Sequence, residues 1–223
     1  MEVFIANYRI LELEKDYKKY FKYLNNYEKN RSDRYVKIED KARYILGILL
    51  MKGILLKNTN LNELFIKNNL YGKPYIENAG NTFFNISHSN DLVAIIIGEK
   101  EVGIDIEYVK KIDIESFKNI LNADEVKLIE TSKNRFMKFY EIWTVKECFS
   151  KEEGIGLSIL DRNFTINYEN NTIEYENKIL NFKTYNFNNY KMSICSELNC
   201  NNTKVSILDK EKLMELISFI KRR

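Results

Sequence analysis

Apolar residues recur along this chain with two different periods. Over residues 3–10 they sit at strand-like spacing and predict a strand. Residues 16–25 change to helical spacing through Tyr20, Phe21 and Leu24, and the basic run Arg31 to Arg34 predicts a polar connector. From Lys37 onward, Tyr44, Ile45, Ile48, Leu49 and Lys52 fall at helical intervals and predict a longer helix, with a short one after it over 61–67. The segment Tyr71-Gly72-Lys73-Pro74-Tyr75 holds the only proline, which confines it to a turn or extended backbone. Strands are predicted over 83–87, 92–98 and 102–109. The polar turn Ser87-His88-Ser89-Asn90-Asp91 joins the first two, and a tight, hairpin-like link at Glu99 and Lys100 joins the last two.

The second half repeats the plan in another order. Helices are predicted over 114–121, 123–131 and 136–152, the last stopped by Gly154 and Gly156. Strands follow over 163–168, 172–175, 179–185 and 190–195, with a fifth candidate over 205–208. A closing amphipathic helix over 211–221 puts Leu213, Leu216, Ile217 and Ile220 on one side, and its end Lys221-Arg222-Arg223 suits a helix C-terminus. Each half thus holds helices and an antiparallel-rich sheet. The expected fold class is α+β, in two lobes of similar size, 1–103 and 104–223, with Asp105 near their junction.

Composition narrows the partners. With 44% hydrophobic and 30% charged residues the chain is that of an ordinary globular protein. A net charge of +3 is too small to argue for nucleic acid, though it allows a locally basic face toward phosphates. The most apolar run, 44–56, is broken by Lys52 and is too short to cross a bilayer, so no membrane association is expected. Cys148, Cys195 and Cys200 form neither a paired framework nor a C-x-x-C. Reduced thiols in a cytoplasmic protein, without zinc, are the simple expectation.

Three stretches carry candidate chemistry. In Gly103-Ile104-Asp105-Ile106-Glu107 strict alternation puts two carboxylates on one face. At about 4 Å and an effective dielectric near 20 they would repel by roughly 4 kcal/mol, which solvent, a base, a raised pKa or a cation must offset. On the helix after Trp143, Glu147 and Lys151 are one turn apart, with Lys146 beside Glu147. Ser87-His88-Ser89 contains the only histidine; adjacent residues on extended chain point apart, so it makes a poor Ser–His catalytic pair and a better phosphate contact. Each stretch alone also fits a solvated strand edge, a surface ion pair or a structural histidine. Together, Asp105, Glu107 and Glu147 suit Mg²⁺, which prefers oxygen ligands, while Arg31, Arg34, Arg43 and Lys73 suit phosphates. The sum points to Mg²⁺-dependent transfer from a phosphoanhydride.

The order of these motifs resembles a known family. Gly72-Lys73-Pro74-Tyr75, Phe84-Asn85-Ile86-Ser87-His88-Ser89, Gly103-Ile104-Asp105-Ile106-Glu107 and Trp143-Thr144-Val145-Lys146-Glu147 with Lys151 and Gly154-Ile155-Gly156-Leu157 are similar to the signature of the 4'-phosphopantetheinyl transferases. The length matches the larger, single-chain Sfp-type kind. The resemblance implies two pseudo-symmetric α/β halves with the active site in the cleft between them. It implies transfer of the 4'-phosphopantetheine arm of coenzyme A to a serine of an apo carrier protein (acyl, peptidyl or polyketide), releasing adenosine 3',5'-bisphosphate. It further implies that Asp105, Glu107 and Glu147 ligate Mg²⁺, that Lys151 contacts the diphosphate, and that Lys73, Ser87 and His88 contact coenzyme A. Arg31, Arg34 and Arg43 fall in the family's basic N-terminal region, Glu147 or a metal-bound water is the candidate base, and a monomer is expected. Three positions depart from the family: Asn90 stands where Gly is frequent, Cys148 where a small Ala or Ser is usual, and Ile155 at an often polar place. Two rival classes remain at this point, another Mg²⁺-dependent hydrolase or nucleotidyl transferase, and a non-catalytic module with a coenzyme A pocket.

Overall fold

The computed structural model describes residues 1–59, 61–161 and 163–220. Its strands are β1 (Glu2–Asn7), β2 (Ile66–Asn68), β3 (Pro74–Ile76), β4 (Phe83–Ser89), β5 (Leu92–Gly98), β6 (Val102–Tyr108), β7 (Phe164–Asn167), β8 (Thr172–Tyr175), β9 (Lys178–Phe187), β10 (Tyr190–Ser196) and β11 (Lys204–Ile207). Its α-helices are α1 (Leu13–Asp16), α2 (Asn26–Asp33), α3 (Ile38–Thr59), α4 (Ala123–Thr131), α5 (Arg135–Glu153) and α6 (Lys210–Ser218). Short 3-10 turns fill several links. The basic end Lys221-Arg222-Arg223 lies outside the described residues.

Two sheets form the frame. One has the order β11-β1-β5-β4, the other β6-β10-β9-β8-β7, and β2 and β3 make a small hairpin. All pairings are antiparallel except β1 with β11. Strand alternation sorts side chains into layers. On β5, Val93, Ile95 and Ile97 pack with the α3 residues Ile45, Leu46, Leu49 and Ile54, while Ala94 and Ile96 face the other sheet. There they meet Val3 and Ile5 of β1, Ile104 and Ile106 of β6, and Met192 and Ile194 of β10. On the far side of the second sheet, Val145, Cys148 and Phe149 of α5 cover Ile173, Leu180, Phe182 and Cys195. The order is helix, sheet, sheet, helix. Full burial of each Ile or Leu contributes about 1.5–3 kcal/mol, so these layers dominate the fold's stability.

The α+β class and the two-lobed plan match expectation, but several local readings need correction. Of the connector expected over 31–34, residues 31–33 instead end the helix α2, which starts at Asn26 because Asn25 and Glu28 build a reciprocal capping box. Residues 61–67 are not helical; Ile66 and Lys67 belong to β2 and pair with Ile76 and Tyr75. The strand β4 runs on through Ser89, which leaves only Asn90 and Asp91 as the turn. Asn90 has φ +46°, a conformation Gly and Asn both accept, which accounts for its standing in a glycine's place. β5 and β6 do not form a hairpin; they enter different sheets. Two elements from beyond Ser196 return to the first half. β11 joins the first sheet, and Leu213, Leu216 and Ile217 of α6 join the core around α3.

The α3–α6 contact depends on a glycine. A Cβ on Gly53 would lie 2.6 Å from the Leu216 backbone oxygen. Gly to Ala in an exposed helix gains up to about 1 kcal/mol, but here overlap with backbone reverses the sign. Gly53→Ala should destabilise the protein by about 1–3 kcal/mol, read from the urea midpoint at unchanged slope. At the end of α5, Glu152 is 3% exposed and its Oε2 has no hydrogen-bond partner. Burial, and then the charge of Glu153, push its carboxyl up to about 8. A carboxyl raised in the folded state favours folding below its unfolded pKa and loses that contribution as pH rises through the folded one. Stability should therefore fall between about pH 4.5 and pH 8, by at most about 1.4 kcal/mol per pH unit. Thermal melts of Glu152→Gln across that range should show a flatter profile.

Candidate active site

Ile104 and Ile106 point between the sheets, so Asp105 and Glu107 are turned toward α5. The helix can come close because residue 103 is glycine: a Cβ there would lie 1.8 Å from the Cys148 backbone oxygen. One turn apart on α5, Glu147 and Lys151 both line the cleft above the strand. Their neighbours leave that face. Trp143 packs against Phe117 and Phe139, and Lys146 is buried on another side in a 3.0 Å ion pair with Glu125.

Asp105 is 3% exposed. Its Oδ1 accepts from Ser87 Oγ at 2.8 Å and from Lys151 Nζ at 2.6 Å, while its buried Oδ2 has no partner. Glu107 accepts a 2.6 Å hydrogen bond from Ser89 Oγ. Burial and then the charge of Asp105 raise the pKa of Glu107. Glu147 is pushed up to about 7, by burial first and then by Asp105, with Lys151 opposing and Glu107 adding. Burial works against the charge of Lys151, but Asp105 and the two glutamates outweigh it and raise its pKa.

Sequence reasoning missed how β4 and β6 join. They lie edge to edge, and side chains on β4 take the place of a main-chain ladder. Asn85 Oδ1, Ser87 Oγ and Ser89 Oγ accept from the N–H groups of Ile104, Ile106 and Tyr108, at 3.4, 3.3 and 3.0 Å. The signal was present as three short polar residues, Asn85, Ser87 and Ser89, at i, i+2 and i+4, alternating with Phe84, Ile86 and His88. Ser87 is consequently buried and faces Asp105, with Lys151 Nζ at 2.9 Å from its Oγ.

Two adjoining cavities make the cleft. One, about 300 Å³, is lined by Glu147, Lys151, Lys73 and Tyr71. The other, about 270 Å³, is lined by Arg31, Arg43, His88, Tyr27, Tyr35 and Tyr44. Both include Gly72, Pro74 and Ile86 in their walls, so they adjoin. Arg31 lies over the Tyr44 ring at 5.5 Å, and Arg43 is held by Asp40 and by the Asn90 carbonyl, 2.6 Å away. Water reaches the His88 ring, yet the surrounding protein, then Arg43 and Lys151, lower its pKa. Arg34 is exposed and lines neither cavity. Lys73 stands between the lobes, its Nζ bonded to Glu101 and to the Glu152 carbonyl at the end of α5. A larger cavity of about 590 Å³ beside Leu56 and Phe65 shares Asn25, Glu28 and Ile66 with the second of these, and its Glu28–Lys52 and Lys67–Glu77 charges are already paired.

The donors suit a hard divalent cation. All are carboxylate oxygens, and the unpartnered Asp105 Oδ2 is buried where a cation would satisfy it. Among the described residues, no three acidic, imidazole or thiol side chains already stand as a finished cage. Lys151 supplies the nearest positive charge.

A two-lobed α+β chain with an acidic strand, a Glu–Lys helix face and a basic cleft is compatible with a group-transfer enzyme, and comparison with known proteins gives its class and family. The family model for the 4'-phosphopantetheinyl transferase superfamily matches residues 101–195, and that for the 4'-phosphopantetheinyl transferase N-terminal region matches 12–100. The 4'-phosphopantetheinyl transferase gsp of Aneurinibacillus migulanus is 34% identical over 176 residues, covering 73% of this chain and 72% of its own. The 4'-phosphopantetheinyl transferase Sfp of Bacillus subtilis is 29% identical over 157 residues, 69% of this chain and 70% of its own. An L-aminoadipate-semialdehyde dehydrogenase-phosphopantetheinyl transferase of Candida glabrata is 31% identical over 132 residues, 54% of this chain and 50% of its own. The chain belongs to the 4'-phosphopantetheinyl transferase family, of the Sfp type, and is an enzyme of that class. Among the described residues no helix is long and apolar enough to cross a membrane.

Proposed function

We propose that this enzyme takes the 4'-phosphopantetheine arm from coenzyme A and places it on a serine of an apo carrier protein, with Mg²⁺ held by Asp105, Glu107 and Glu147. The observation that carries the reading is the buried, unpartnered Asp105 Oδ2, whose other oxygen is bonded to Lys151, a residue that lines the cleft together with Glu147. Mg²⁺ in that place would neutralise charge on the diphosphate. The remaining work falls to side chains. The serine oxygen forms a bond to the pantetheine-side phosphorus as the phosphoanhydride bond breaks, and adenosine 3',5'-bisphosphate leaves with the electron pair. Glu147, which lines the cleft beside Lys151, accepts the serine proton. Lys151, held protonated by its carboxylate neighbours, faces the departing charge. The two adjoining cavities hold coenzyme A: Arg31, Arg43 and His88 surround phosphate at one end, and Tyr27, Tyr35 and Tyr44 offer ring faces to the base. Lys73 closes the cleft from the hairpin side, and Ser87 acts through Asp105 and Lys151. Arg34, outside the cavities, contributes long-range charge only. The chain carries both lobes of the cleft, which supports a monomer, and its free, buried Cys148, Cys195 and Cys200 suit the reducing cytoplasm.

The test is an intact-mass measurement on a panel of apo acyl, peptidyl and polyketide carrier proteins with coenzyme A. Addition of one phosphopantetheine, lost on chelation and restored by Mg²⁺, is the expected result. No addition to any carrier would overturn the reading, as would transfer indifferent to chelation for its metal part.

A further inference from the structure

The β4–β6 seam contains the same unit twice. Ser87 Oγ accepts from the N–H of Ile106 and donates to the carboxylate of the preceding residue, Asp105; Ser89 Oγ accepts from the N–H of Tyr108 and donates to that of Glu107. A serine hydroxyl has one proton. In each unit that proton is directed at a carboxylate, and a backbone N–H on the same strand as that carboxylate fixes the hydroxyl. Glu107 has three rotatable bonds and a half-buried position, so without such a tether it would sample several rotamers. The tether on Glu107 comes from the other lobe's sheet, which links the aim of the carboxylate to the registration of the two lobes.

We infer that Ser89 is a positioning residue: it holds Glu107 in its ligand geometry and does not itself contact substrate. The inference rests on the metal reading above. The Ser89 hydroxyl is committed to Glu107 and to the Tyr108 N–H, which separates its role from that of His88 beside it, a residue that lines the cleft. Outer partners that orient metal ligands typically matter by 10–100-fold, and that is the scale expected here.

Ser89→Ala and Ser89→Thr are compared with wild type in two measurements. Mn²⁺ titration followed by electron paramagnetic resonance, without coenzyme A or carrier, reads the site directly. Steady-state transfer reads kcat and the KM for coenzyme A. Ser89→Ala should weaken Mn²⁺ binding about 10-fold and lower kcat about 10-fold, with the coenzyme A KM within about two-fold of wild type. Ser89→Thr, which keeps the hydroxyl on a strand-compatible side chain, should restore both. Melting curves establish that each variant is folded. If wild type binds Mn²⁺ and Ser89→Ala binds it equally well with unchanged kcat, the inference is wrong while the metal reading stands. Equal losses in both variants would also overturn it, since the hydroxyl would then be irrelevant. If wild type transfers without a divalent cation and binds no Mn²⁺, the metal reading falls and takes the inference with it.

Discussion

Asp105→Asn should lower transfer to carrier protein by on the order of 10³-fold while the protein melts within a few degrees of wild type. Asn keeps the volume and an oxygen for Ser87 Oγ, so packing at this buried position survives. What it removes is charge. The buried Oδ2 ceases to be an anionic oxygen, and Lys151 loses its closest counter-ion. Removing one partner of a fully buried pair usually costs about 3–5 kcal/mol, but Lys151 is 28% exposed and keeps Glu107 and Glu147 nearby. Relief of repulsion among the three carboxylates offsets part of the loss. A net change below about 2 kcal/mol corresponds to roughly 4–8 °C at most for a chain of this size. Intact mass of the carrier against time gives the rate, and circular dichroism gives the melt. Retention of more than about a tenth of wild-type activity would show that Asp105 is not central to the charge arrangement argued above.

Gly103→Ala should be the most disruptive single methyl that can be added to this protein's acidic strand. The new Cβ would lie 1.8 Å from the Cys148 oxygen, 2.8 Å from its carbonyl carbon and 2.9 Å from the Glu152 nitrogen. All three are backbone atoms, so no rotamer change relieves the overlap. Either α5 lifts from β6 or the strand bends. Overpacking that moves backbone costs at least about 3 kcal/mol, a loss of about 6–12 °C in melting temperature. Lifting α5 also carries Glu147 and Lys151 away from Asp105. A misplacement near 1 Å costs about 10²-fold in rate, so folded material should be nearly inactive. A variant with wild-type melting and activity would mean that the helix does not approach the strand this closely.

How much of this was legible in the sequence depended on how local each cause is. Asp105 and Glu107 share a face because strand alternation is dictated within five residues, and Glu147 and Lys151 align because a helix turn is dictated within five. The layers that bring those two faces together follow from Ile104 and Ile106 needing burial. The capping box at Asn25 and Glu28 was equally local and was missed because the basic residues between 31 and 34 dominated the reading. Pairings between distant residues were not legible. Nothing near Ile66 shows that Ile76 will claim it for a hairpin, and nothing near Glu99 shows that β6 will abandon β5 for β10. Lys73 illustrates the same limit at the site: its motif marks the residue, but its tie to the Glu152 carbonyl depends on where α5 ends in space. The hydroxyl seam lies between these cases, visible as a pattern in Asn85, Ser87 and Ser89 yet meaningless until β6 is placed beside it.

The return of β11 and α6 to the first lobe has a kinetic consequence. In chain order the second lobe is an insertion: the strands of its sheet run from Val102 to Ser196, while the first lobe is assembled from segments on both sides of it. During elongation the inserted segment can collapse on its own contacts, whereas α3 keeps the apolar surface around Gly53 uncovered until Leu213, Leu216 and Ile217 arrive. Closure of that core waits on contacts separated by more than a hundred residues, the kind that slow folding and leave sticky intermediates in the meantime. The lobe that begins first in sequence is thus the one that finishes last, and chaperone dependence in this protein should concentrate on α3.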